Sequence, residues 1–367
     1  MKFICNPDEL SQALSIVSKA ISNKTNVPIL EGIKIFVEGD TVTLTATDLE
    51  LFIEKKIKAT ISLEGEAVVT GKFFTEFIRK LNSFNQIEIE KLGAKLIVKY
   101  GENETEIQCL EEDTYPEIKN IGEDAGFSIK ESDLKETLEK TIFCVAVDDS
   151  RPILKGCLLD LKGDELTTVA LDGFRLSICK CEVADAMGDA KIVVPGKILG
   201  EITRIFEDSD NIVKVRIQKN NVLFDLGHTK ITTRLIEGEY IQYEKIIPSN
   251  SNSQIVVEKG ALEAGLDRAS LIARNKKNNY LKLSISNGNV NISSNSDLGS
   301  IKENVACSLE GKDIDIAFNS KYLFEAFNKI KEDFIKISFI GSNAPAVVTP
   351  TEGDKYKFII LPVRLLG

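Results

Sequence analysis

His228 is the only histidine among 367 residues, so a zinc centre or a Ser-His-Asp relay would have to rest on it alone. It lies in "DLGHTK", a turn-like stretch between two strand-like runs, where a solvated imidazole is the expected state. The seven cysteines include no CxxC pair, and Cys179-Lys180-Cys181 has the two-residue period of a strand. That pattern points to reduced thiols filling core positions, not to a metal or redox centre. "GEAVVTGK", ending at Lys72, imitates a phosphate-binding loop, but it has five residues between its glycines and Phe73 where Ser or Thr must hold magnesium. The expectation is therefore no catalytic residue, no metal and no cofactor.

The remaining candidates are cations. "GKFFTEFIRKL", "GKILGEITRIF" and "SKYLFEAFNKI" read as three related helices led by Lys72, Lys197 and Lys321. At about 100° per residue, Lys72 and Arg79 fall within about 20° of each other, with Lys80 beside them and Phe74, Phe77, Ile78 and Leu81 opposite. Lys197 and Arg204 repeat the arrangement opposite Leu199, Ile202 and Phe206, and Lys321 and Lys329 flank the third face. Other helices add Lys19, Lys135, Lys140 and Arg268, with Lys24 and Arg274 just past their ends. Glu76, Glu201 and Glu325 follow the leading lysines by four residues, so ordinary solvated, ion-paired faces are the competing reading. The net charge of −10 argues against a body that grips nucleic acid everywhere, and leaves room for a local basic strip.

These helices belong to a larger repeat. "PILEGIKIFVEGDTVTLTATDLEL" from Pro28 returns as "PILKGCLLDLKGDELTTVALDGFRL" from Pro152, a constant 124 residues on and without a gap. A third copy is legible in "VNISSNSDLGS" from Val290 and in the Lys321 helix. A period of about 122 residues is far too long for a solenoid and indicates three tandem homologous domains. Each reads as helix, strands, helix, strands: "PDELSQALSIVSKAI" places Leu10, Leu14, Val17 and Ile21 on one face behind an Asn6 cap, and Gly39-Asp40 turns one strand into the next. The fold class is thus α+β with helices on one face of antiparallel sheet. The boundaries give domains at residues 1–121, 122–250 and 251–367. There is no apolar signal core and no stretch long enough to span a membrane, so a cytoplasmic protein with no membrane partner is expected.

With "TVALDGFRLS", the closing "FIILPVRLLG", "VPIL", "ATDLE", "VVPGK" and "FNSKYL", the chain resembles the bacterial DNA polymerase sliding clamps, the beta subunit of the replicative polymerase, from end to end. The resemblance implies a head-to-tail homodimer closing a ring, helices inside and sheets outside, around duplex DNA held without sequence preference. It implies a non-catalytic processivity factor; any polymerase activity belongs to the holoenzyme. The partners it implies are the replicative polymerase alpha/C subunit, the clamp loader and other replication and repair proteins that carry a clamp motif. They would bind a groove between the second and third domains formed by Leu154, Leu171, Gly173, Phe174, Arg175, Leu176, Ile241, Lys245, Ile246, Asn319, Tyr322, Pro345, Ala346, Ile360, Leu361, Pro362, Val363 and Arg364. DNA contacts are expected from Lys24, Lys72, Arg79, Arg151, Lys197 and Arg204, and the dimer seam from Ile107, Leu271 and Ile272. Ile241 stands where better-known members carry Pro and Phe174 where they often carry His, and Leu366-Gly367 run past the usual Arg-Leu ending. The rival readings are a peptide-binding scaffold that forms no ring, and an enzyme.

Overall fold

The structure is a computed structural model that describes residues 1–22, 25–111, 114–117, 122, 124–148, 150–273 and 279–364. Lys24, Arg274 and Leu366-Gly367 lie outside the described residues. Six α-helices are present among them: α1 (Pro7–Val17), α2 (Gly71–Arg79), α3 (Glu131–Glu139), α4 (Gly196–Thr203), α5 (Lys259–Ala273) and α6 (Ser320–Phe327). Asn6 caps α1, its side chain accepting from the Asp8 and Glu9 N–H groups at 2.8 and 3.3 Å, with Pro7 in the first turn. Leu10, Ala13, Leu14 and Val17 form its buried stripe. The stretch that imitates a phosphate loop is the strand Gly65–Thr70 running straight into α2, so it has no loop to cradle a phosphate.

Antiparallel strands dominate, and they cross the repeat boundaries. One compact unit comprises residues 1–132, 184–188 and 204–235; the other comprises 133–183, 189–203 and 236–367. The first holds a 14-stranded sheet and the second a 12-stranded one. In the first unit, Leu51–Lys58 of copy one pairs with Thr229–Arg234 of copy two, Ile53 opposite Ile231. In the second, Arg175–Glu182 of copy two pairs with Tyr356–Ile360 of copy three, Ser177 opposite Phe358. These junctions are equivalent: Arg175 lies 124 residues after Leu51, and Tyr356 lies 127 after Thr229. The middle copy is therefore shared between two continuous sheets, which periodicity alone does not reveal.

The repeated Gly32 and Gly156 are required by close packing. A Cβ on Gly32 would sit 2.6 Å from Val68 Cγ1, and one on Gly156 2.3 Å from Val193 Cγ1. In copy three the matching residues are Tyr280 and Ala317, on paired strands two positions out of register, so the glycine has become large where the valine has become small. Gly156→Ala is expected to lower unfolding free energy by about 1–3 kcal/mol through overpacking, and adding Val193→Ala should recover part of it. Denaturant midpoints of the two variants check this.

All seven cysteines are free. Burial pushes the thiols of Cys5 and Cys181 up to about 12 and that of Cys179 up to about 11, which suits packing residues and not nucleophiles. His228 is exposed in a turn, as its sequence context suggests.

Candidate functional site

The groove residues that the sequence named all fall in the second unit, at its copy-two/copy-three junction. Leu154, Leu171 and Leu176 are buried and form the floor, packed with Leu158, Val193, Tyr240 and Tyr243, while Ala346 and Ile360 are buried in the neighbouring core of copy three with Phe318 and Phe358. Ile241 packs against this cluster from the linker, and a 3₁₀ turn at Tyr243–Ile246 brings Lys245 and Ile246 to the surface. Gly173 takes a positive φ of 90°, so the chain reverses tightly and presents Phe174 outward, 58% exposed. Asp172 holds that turn by accepting from the Phe174 and Arg175 N–H groups at 2.9 and 3.0 Å. Beyond Ile360 the last segment is fixed at two points: Leu361 N–H donates to Phe174 O at 2.9 Å, and Val363 N–H to Ala317 O at 2.7 Å. Pro362 and Val363 are half-buried, Leu361 and Arg364 exposed.

Arg175 ties the two copies together. Its Nε donates to Asp172 at 3.0 Å, one terminal nitrogen donates to Glu325 and the other to Phe143 O at 2.9 Å. The guanidinium also lies 4.8 Å from the Tyr322 ring and 5.4 Å from that of Phe143. Tyr322 in turn stacks on Phe174 with ring centroids 5.8 Å apart. Asn319, expected to line the groove, caps α6 by accepting from Lys321 N–H at 3.0 Å. The result is a buried apolar floor beside an exposed aromatic lip, Phe174 stacked on Tyr322.

The first unit carries the same backbone at its own junction with different side chains. Arg234 N–H donates to Glu50 O at 3.1 Å, the counterpart of the Leu361–Phe174 bond. There an Arg234–Glu50 ion pair at 3.6 Å stands in place of the Leu361 and Phe174 side chains. Leu49 adopts φ 77° in the position of Gly173. At this place the first junction carries a charged pair where the second carries the exposed apolar side chains of Phe174 and Leu361.

The cation candidates divide. Lys72, Arg79, Lys80, Arg151, Lys197 and Arg204 are exposed, and Lys321 is exposed while pairing with Glu325 at 3.7 Å. Lys140 corrects the helical-wheel reading: it is 2% exposed, pairs with Glu136 at 2.7 Å and lies 4.6 Å from the Tyr356 ring. Arg268 points outward but is held bidentately by Glu303 at 2.9 and 2.7 Å. Of the seam candidates, Ile107 is 5% exposed within its own copy, Ile272 is half-buried and Leu271 is 60% exposed. Sequence reasoning missed Phe73 (51% exposed, stacked on Phe77 at 6.1 Å) and Leu298 (69% exposed). Aligning the copies would have found both, because Phe73 occupies the repeat position of Tyr322 and Leu298 that of Phe174.

Comparison with known proteins agrees along the whole chain. Family models match for the N-terminal, central and C-terminal domains of the DNA polymerase III beta subunit, at residues 1–119, 128–242 and 244–364. The beta sliding clamp of Staphylococcus epidermidis is 32% identical over 99% of both chains. The crystal structure of the Bacillus subtilis sliding clamp, also 32% identical, superposes with a TM-score of 0.95 over 100% of this chain and 99% of that one. A Pseudomonas aeruginosa clamp solved with griselimycin, 26% identical, gives the same score with full coverage of both chains. With three tandem clamp domains, antiparallel sheets and helices in the same order, the chain belongs to the DNA polymerase III beta subunit family, the beta sliding clamps.

Proposed function

We propose that this chain is the non-catalytic processivity clamp of a bacterial replicative polymerase. Two copies close head to tail into a ring around duplex DNA, in which residues 1–121, 122–250 and 251–367 act as the three domains. The ring slides without sequence preference in the cytoplasm; no helix among the described residues is long and apolar enough to cross a membrane.

The observation that carries this reading is a pair of unsatisfied sheet edges. Each internal junction joins the strand type of Leu51 and Arg175 to the strand type of Thr229 and Tyr356. Copy three has the first type left over and copy one the second. Gly299–Ala306 pairs only with Asn289–Ser296 on one side, and Asn103–Gln108 only with Lys95–Tyr100, so among the described residues one edge of each is open. Open edges of this kind are templates for another chain. Continuing the register of the two internal junctions places Thr105 opposite the partner copy's Ile301 and Glu104 opposite its Lys302. The Leu298 side chain then meets Phe73, as Phe174 meets Tyr322. Each such seam is heterologous, and two of them close under twofold symmetry.

The exposed Lys72, Arg79, Arg151, Lys197 and Arg204 would face the DNA, with Lys24 as the family position suggests. Lysine and arginine contacts to phosphate attract without reading sequence and exchange readily, as sliding requires. The groove would hold the polymerase alpha/C subunit, the clamp loader and other clamp-motif proteins in turn, each buried anchor contributing about 1.5–3 kcal/mol. Primer extension on a singly primed circle tests the function. With loader, ATP and polymerase, adding this chain should lengthen products per binding event at least tenfold; unchanged product lengths would contradict the reading.

A further inference from the structure

We propose that the groove does not end at Pro345, and that a second cleft beyond it holds an uncharged segment flanking the anchors of the same partner peptide. This rests on the groove reading above. The cleft has a volume of about 160 Å³ and is lined by Pro248, Ser249, Asn250, Ser338, Ile340 and Pro345, among others. At ~30 Å³ per water it has room for about five waters, or one to two small side chains.

The cleft borders the groove: Pro345, which the family resemblance assigns to the groove, lines the cleft, and Val347, another lining residue, packs onto the hydrophobic cluster of Leu154, Leu171 and Leu176. Its walls are fixed: Asn252 N–H donates to Phe339 O at 2.8 Å, and its side chain donates to Ile340 O at 2.6 Å, which holds the linker against the strand Phe334–Phe339.

The chemistry selects the occupant. No residue lining the cleft is ionisable, in a chain whose surface is otherwise heavily charged. Ile340 offers apolar surface, 37% exposed. The Ser249, Asn250 and Ser338 side chains make no hydrogen bond to the described residues, so they are available to peptide N–H and C=O groups. A charged flank would lose its hydration here with no counter-charge to meet it.

Fluorescence anisotropy separates the possibilities. The probes are a six-residue peptide with Leu and Phe anchors, and the same peptide extended by four Ser/Ala residues at its N-terminus or at its C-terminus. One extension should bind the wild-type chain about tenfold more tightly than the core peptide, and replacing its Ser/Ala residues with Asp should remove the gain. Ser338→Trp, which fills the cleft, and Ile340→Asp, which charges it, should each bring the extended peptide down to core affinity and leave the core peptide unchanged. Equal binding of core and extended peptides, or a gain that survives both substitutions, would overturn the second cleft alone. Failure of the core peptide to bind would overturn the groove reading and this inference together.

Discussion

Leu298→Asp should leave the chain folded and convert it to a monomer at concentrations where the wild type is a dimer, and Phe73→Asp should do the same. Both side chains are more than half exposed in the isolated chain, so neither change removes core packing. Their repeat counterparts, Phe174 and Tyr322, are stacked at 5.8 Å across an internal junction of the same construction. Losing a buried apolar side chain costs about 1.5–3 kcal/mol. A ring of two identical seams loses it twice, about 3–6 kcal/mol, which is about 10²- to 10⁴-fold in dimer affinity. Burying the new carboxylate adds to this. Leu63→Asp supplies the control, since Leu63 is 60% exposed but lies in neither of the two strands assigned to the seam. Sedimentation velocity across a dilution series reads the outcome, and dimerisation undisturbed by both substitutions would refute the seam assignment.

The second large effect comes from exchanging one junction's side chains for the other's. Phe174→Glu combined with Leu361→Arg places the Arg234–Glu50 ion pair on the backbone hydrogen bond that the two junctions share. The apolar lip becomes a charged bridge, two anchor contacts are lost, and a Leu- or Phe-anchored peptide should bind at least 100-fold more weakly. Stability should change little, because Phe174 is 58% and Leu361 39% exposed and the buried floor is untouched. The thermal midpoint and peptide affinity of the double variant, measured together, separate a closed groove from a damaged fold.

Much of this was legible in the amino-acid order. The 124-residue offset exposed the first two copies because Pro28, Gly32, Gly39 and Asp48 recur as Pro152, Gly156, Gly163 and Asp172, and each marks a place where backbone geometry leaves little choice; the third copy was legible in the Val290 stretch and the Lys321 helix. The structure shows why for Gly32 and Gly156, whose missing Cβ atoms make room for Val68 and Val193. Helix α1 was readable to its cap, since Asn6, Pro7 and the apolar stripe are local signals. Contacts between copies were not readable. Lys140 has a surface residue's place on a helical wheel, and only the pairing of Arg175–Glu182 with Tyr356–Ile360 brings Tyr356 over it. The sharing of the middle copy between two sheets escaped for the same reason. Strand alternation specifies a face, but not which neighbour the strand pairs with. Within the groove, resemblance supplied the residue positions and could not supply Arg175's contacts with Asp172, Glu325, Phe143 and Tyr322 or the Phe174–Tyr322 stack, because Phe174 departs from the residue the family often carries.

The central claim is that the chain holds DNA by enclosing it. The most direct test loads the protein with its matching loader and ATP onto a nicked circular plasmid, then measures retention before and after the plasmid is linearised. A ring stays on the circle through a high-salt wash and is lost from free ends within minutes of cutting. Equal retention on circle and line would mean that the chain binds DNA by contact alone, and would contradict the closed ring.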